Sequence, residues 1–141
     1  MQLIEFLSSG DHFAALAGAR MEEIRPGYAR ATLTVAPHHL NAAGICQGGV
    51  YFTLADFAFA GVCNSHGTLT VGIGNNITFV NPAKEGDTLT AEATELYNHH
   101  KLPLCEIRIT NQHGTLLCVV TGTGTANARP STWTRMTLLR E

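Results

Sequence analysis

Gly48-Gly49-Val50-Tyr51-Phe52-Thr53-Leu54-Ala55-Asp56-Phe57-Ala58-Phe59-Ala60-Gly61-Val62-Cys63-Asn64 is the stretch that decides the fold. From Val50 onward it is apolar on nearly every side of a helix and rich in Ala, Leu and Phe, and a helix hydrophobic all round is a buried one. It carries Asp56 and falls short of the roughly 20 residues that cross a bilayer. The stretch therefore predicts a central core helix and no membrane span.

Working outward, Asp11 to Leu16 follows Ser8-Ser9-Gly10 and opens on an acidic residue, which predicts a short N-terminal helix. Met21 to Ile24, the turn Arg25-Pro26-Gly27 and Tyr28 to Val35 form a hairpin. In its second strand Ala29, Ala31, Leu33 and Val35 alternate with polar residues, so one face is buried. Pro37 to Gln47 has no period and is a loop. Beyond Gly67, Val71, Ile73, Ile77 and Phe79 alternate, Pro82 to Asp87 turns, and Leu89, Ala91 and Ala93 alternate. Cys105, Ile107 and Ile109 follow, then Leu116 to Thr125 after the His113-Gly114 turn.

Connections this short suit antiparallel neighbours and exclude a parallel βαβ fold, which needs a helix between each pair of strands. The expected architecture is α+β: a curved antiparallel sheet wrapped around one long central helix, as a single domain over residues 1–141.

Composition limits the function. The chain has 141 residues, with 9 Lys+Arg against 11 Asp+Glu for a net charge of −2. The basic residues are few and scattered, which excludes affinity built on nucleic-acid phosphates. Hydrophobic residues make up 45% and charged ones 14%, against roughly 25% charged in an average domain. So apolar a surface predicts an oligomer. Cys46, Cys63, Cys105 and Cys118 form no C-x-x-C pair and read as reduced thiols of a cytoplasmic protein, and the N-terminus has no basic signal-peptide region. His38-His39, His99-His100 and His113 lack metal-ligand spacing, since adjacent histidines on a strand point apart, so no metal is expected. No G-x-S-x-G elbow is present, and Gly72-Ile73-Gly74 is no dinucleotide fingerprint, so no cofactor is expected.

Asp56 is the residue most out of place. In an apolar helix it reads either as a structural carboxylate with a buried donor or as a general base or nucleophile. Gly48-Gly49 puts backbone N–H groups at the positive end of the same helix, where an oxyanion would be stabilised; the same pair also serves simply to turn the chain. Gln47 reads as a ligand to a substrate carbonyl or as a cap, and Asn41 as a water-ordering amide or a turn former. Gly48 and Asp56 are eight residues apart, about 12 Å of helix, so one helix cannot offer both to one carbonyl. If both are catalytic, the helix start of one subunit must face the Asp of a second copy running antiparallel, in a two-fold dimer.

The run Asn41-Ala42-Ala43-Gly44-Ile45-Cys46-Gln47-Gly48-Gly49 through Asp56 to Ala60, together with Ile77-Thr78-Phe79-Val80-Asn81-Pro82-Ala83-Lys84 and Gly86-Asp87, resembles the hot-dog-fold acyl-CoA thioesterases. Within the 4-hydroxybenzoyl-CoA thioesterase superfamily the likeness is to the phenylacetate-pathway, PaaI-like branch, and it covers about Tyr28 to Ala126. It implies thioester hydrolysis of an acyl-CoA at a subunit interface of a homodimer that assembles into a homotetramer. Asp56 would be base or nucleophile, Gly48 the oxyanion donor, and Asn41 a positioning residue for water or thioester, with Gln47 standing where many relatives have His. Ala43 also replaces a His of many relatives, and Gly72 falls where some carry a hydroxyl, a role open to Thr70 or Asn75. Two rivals remain at this level: a hot-dog hydratase or dehydratase using His39, and a non-catalytic acyl-CoA-binding module. Tyr51, Phe52 and Phe57 are candidate acyl walls or core residues. Lys84, Lys101, Arg108 and Arg129 are candidate phosphate contacts or solvated surface charges.

Overall fold

The computed structural model describes residues 2–130, with side chains through Ala126. Two short helices, α1 (Leu3–Gly10) and α2 (His12–Ala17), precede the hairpin of β1 (Arg20–Arg25) and β2 (Tyr28–Thr34). The long helix α3 (Gly48–Cys63) follows, then β3 (Thr68–Phe79), β4 (Thr88–Tyr97), β5 (Leu104–Thr110) and β6 (Leu116–Pro130). The six strands form one sheet in the order β1-β2-β4-β5-β6-β3, and every pairing is antiparallel. The expected curved sheet around one helix is therefore the observed one. Where one N-terminal helix was expected there are two, with Asp11 as the junction: it ends α1 and caps α2 by accepting from the Ala14 N–H.

The alternation in the strands puts small residues under the helix. Ala29, Ala31, Ala91 and Ala93 are fully buried, and Ala29 pairs with Ala93 as Ala31 does with Ala91. This alanine floor lets α3 sink onto β2 and β4. A Cβ on Gly61 would come within 2.8 Å of the Ala29 Cβ. Leu54, Ala58 and Val62 are buried above it, against Leu89, Ile107 and Ile109. Burial of such side chains contributes about 1.5–3 kcal/mol each.

α3 is not sealed on every side, contrary to its composition. Gly49, Phe52 and Asp56 are exposed, and Thr53 and Ala60 half-buried, along one stripe facing away from the sheet. The sheet covers only the other face, and α1 and α2 cover the stripe incompletely. At the helix end, the buried Asn64 amide donates to the carbonyls of Ala60 and Thr70 and accepts from the Thr70 N–H at 2.8 Å, which fastens α3 to the start of β3.

Candidate active site

The start of α3 is built by Gln47. Its side-chain oxygen accepts from the Gly49 N–H, and its backbone carbonyl accepts from the Val50 N–H. A Cβ on Gly49 would displace that amide from its capping bond, and one on Gly48 would press on the Phe79 ring at 3.1 Å. Among the described residues the Gly48 N–H has no partner. It is a free donor of the first turn, at the positive end of the helix. A cavity of about 370 Å³ lies over it, lined also by Tyr51, Phe79 and Pro82. The Tyr51 phenol oxygen, buried, accepts from the Ala83 N–H at 2.8 Å, and burial pushes its pKa up to about 12, so it stays neutral. Burial likewise raises the Cys46 thiol beside it.

Asp56 lies further along the open stripe, in a separate cavity of about 270 Å³ lined by Asp11, Phe13, Ala14, Phe52 and Thr53. Its carboxylate has neither hydrogen bond nor ion pair among the described residues, so it satisfies no buried donor among them. Desolvation by the surrounding apolar groups, and secondarily the Asp11 charge, raise its pKa above the usual carboxylate range. Within one chain Gly48 and Asp56 thus line separate cavities.

The remaining candidates sort by geometry. The Asn41 side-chain oxygen accepts from the N–H groups of Ala43 (2.9 Å) and Ile45 (3.2 Å), which is turn chemistry within its own loop. Gln47 caps its own helix. In both, the amide NH2 has no partner among the described residues. His39 is committed: Nδ1 accepts from the Ala36 N–H and Nε2 lies 2.7 Å from the Ala17 carbonyl, which removes the base the hydratase alternative requires. Neither histidine pair is on a strand, and the rings of His99 and His100 stack, 4.5 Å between centroids, where divergence was expected. Tyr51 and Phe57 are buried and Phe52 is 38% exposed, so of the three only Phe52 reaches the Asp56 cavity. Lys84 and Lys101 are exposed, Arg108 pairs with Glu106 at 3.5 Å, and the Arg129 side chain lies outside the described ones. Tyr51, expected as an acyl wall or a core residue, is both buried and a wall of the Gly48 cavity. Asp11, on the Asp56 cavity, was missed from sequence, where its only signal was its place as a helix cap.

The sequence pattern of the thioesterase superfamily matches residues 43–118, which contain both halves of this arrangement. The chain belongs to the thioesterase superfamily. As a member it is a thioester hydrolase with the hot-dog fold. It is 38% identical over 102 residues to the acyl-coenzyme A thioesterase PaaI of Escherichia coli, covering 72% of this chain and 73% of that one. The structure of E. coli PaaI superimposes with a TM-score of 0.86 at 32% identity, covering 89% and 91% of the two chains. A hypothetical thioesterase of Streptococcus pneumoniae, solved with coenzyme A, superimposes with a TM-score of 0.78 at 28% identity, covering 85% and 96%. This superfamily member carries no helix among its described residues that is long and apolar enough to cross a membrane.

Proposed function

We propose that the protein hydrolyses an acyl-CoA to a free acid and CoA at two equivalent sites. Each combines the Gly48 N–H of one subunit with the Asp56 carboxylate of its two-fold partner. The observation that carries this reading is the free Gly48 N–H at the start of α3, with the unpaired Asp56 eight residues along the same open stripe. About 12 Å of helix rise separates them, and an antiparallel copy of α3 brings each within reach of the other. The thioester carbonyl oxygen accepts from Gly48 N–H, whose dipole stabilises the developing oxyanion. Asp56 takes a proton from water as the water oxygen bonds to the carbonyl carbon. Collapse breaks the C–S bond, and the proton passes to the departing thiolate. Direct attack by Asp56, followed by hydrolysis of the anhydride, uses the same geometry. The NH2 groups of Gln47 and Asn41, without a partner among the described residues, are the proposed positioning donors.

The dimer is supported by β3, a 12-residue edge strand on which Val71, Ile73 and Phe79 are more than half exposed. A second exposed apolar group, Leu96, Tyr97, Leu102 and Leu104, offers a face for joining two dimers into a tetramer. Four buried free cysteines suit the cytoplasm, and one domain over residues 1–141 suits a sheet with a single core.

Subunit mixing tests the shared site. Gly48→Leu and Asp56→Asn subunits, each inactive alone, are refolded together and thiol release is followed. With random pairing half the dimers are mixed, and each mixed dimer holds one site with both lesions and one with neither. About a quarter of wild-type activity returns by two-fold symmetry. Activity that stays at the parental level after verified exchange places the site within one chain and ends this reading.

A further inference from the structure

The segment above the open stripe does more than cover it. Asp11 is clamped by its bond to the Ala14 N–H at 2.9 Å, and Ala14 is 2% exposed within the core, so the carboxylate is held in a fixed place. Asp11 and Phe13 form one wall of the Asp56 cavity, Phe52 and Thr53 the other. We infer that Asp11 is a positioning residue for catalysis: a second, fixed carboxylate facing Asp56 across that cavity, which strengthens the hold of Asp56 on the proton it takes from water.

The inference rests on the catalytic reading of Asp56 proposed above. Other titratable groups are poorly placed for this role. Among the described residues Asp11 is the charged group that lines the Asp56 cavity, and Glu5 on α1 and His12 on α2 do not line it. The strands beneath α3 present alanines. On α3 itself the Cys63 thiol is pushed far up by burial and stays neutral. Like charges facing each other across a cavity favour protonation of one of them. An Asp11 oxygen is occupied by the Ala14 N–H, and the Asp56 carboxylate has no such donor among the described residues. A base so tuned accepts the water proton more readily at working pH and returns it to the thiolate. The segment lies outside residues 43–118, so this tuning comes from outside the matched superfamily pattern.

Asn and Ser cap helices as well as Asp does, so D11N and D11S remove the charge and keep the clamp. Thiol release from an acyl-CoA that the wild type turns over is followed against pH for wild type, D11N, D11S and D56N, with thermal unfolding of each. Both Asp11 variants are expected to move the acid limb of kcat to lower pH by several tenths of a unit. Their plateau kcat should drop about two-fold, as for a weaker base, with KM and unfolding midpoint unchanged. Acid limbs that coincide with wild type, with D56N inactive, overturn the role of Asp11 alone. A raised KM or lowered unfolding midpoint with no movement of the limb makes Asp11 a wall or a cap and likewise overturns it. Full activity in D56N overturns the catalytic reading itself, and the inference with it.

Discussion

The two edges of the sheet are built on opposite plans. Strand β1 carries Arg20, Glu22, Glu23 and Arg25, ties Glu23 to Arg25 at 2.7 Å and Glu22 to Thr32 at 2.8 Å, and is broken by a bulge between Met21 and Glu23. Charge is one way natural sheets stop further strands from adding, and charge is what separates the two edges, since β3 also shifts register between Thr68 and Thr70 and between Gly72 and Gly74. At the other edge β3 runs for 12 residues without one charged side chain, and leaves Val71, Ile73 and Phe79 more than half exposed. A long apolar edge left open is an aggregation hazard unless it has a partner. One edge ends the sheet and the other is open to a second copy, the pairing that the proposed shared site requires.

The strongest way to break this contrast is to make β3 resemble β1. Val71→Lys with Ile73→Lys should convert the dimer to a monomer by light scattering and abolish thiol release, because both sites lose half their groups. Glu22→Lys, on the guarded edge, should change neither. A Val71/Ile73 variant that remains dimeric and active removes the functional meaning of the open edge. Next in size, Asp56→Asn should lower kcat by at least ~10²-fold while leaving the assembly intact, which separates the chemistry from the interface. Since the pKa of Asp56 is raised in the fold, the folded state is favoured most with this group protonated, and that advantage is lost as pH rises through the raised value. Asp56→Asn should therefore unfold at the same or slightly higher denaturant concentration at neutral pH.

Smaller again is Gly61→Val, which presses α3 away from Ala29 and should destabilise the fold by about 1–3 kcal/mol in urea. It tests whether the helix seat, rather than the edge, sets the position of the stripe. The smallest effect belongs to Asp87, whose carboxylate accepts from the Lys84 N–H at 3.0 Å and the Gln112 amide at 2.8 Å. These bonds lower its pKa. Its contribution is present above the unfolded value of about 3.9 and is lost as pH falls through the lowered one. Asp87→Asn should flatten the stability loss below about pH 4 and leave both edges, and the activity, as they are.

The helix and the β2, β4, β5 and β6 strands were legible because each has one face against the core, and Ala29, Leu89, Ile107 and Val120 repeat with the period of that face. β3 was legible as a strand and not as an edge, since Val71 and Ile73 alternate in the same way whether their cover is the chain's own core or another subunit. The same ambiguity concealed the open stripe: Phe52 is apolar like Phe57, and only topology distinguishes the covered face from the uncovered one. Helix α1 escaped notice because Gln2 supplies no side-chain cap and Ser8-Ser9-Gly10, read as a break, lies inside it. For the candidate site, Asp56 stood out through its misfit and Gly48-Gly49 through its position. Asn41 and Gln47 showed their residue types but not their bonds, which depend on how the loop folds back on Ile45 and Gly49.

The alanine floor has a consequence for how such a protein changes over evolutionary time. Contacts that hold α3 in the fold run through Gly61, Leu54, Ala58 and Val62 on one side, while Phe52, Thr53 and Asp56 line the proposed substrate cavity on the other. Substitution at Phe52 or Thr53 reshapes the cavity while the bed beneath the helix is untouched. New acyl preferences can thus be acquired in single steps, without each one first having to be rescued by a stabilising change elsewhere.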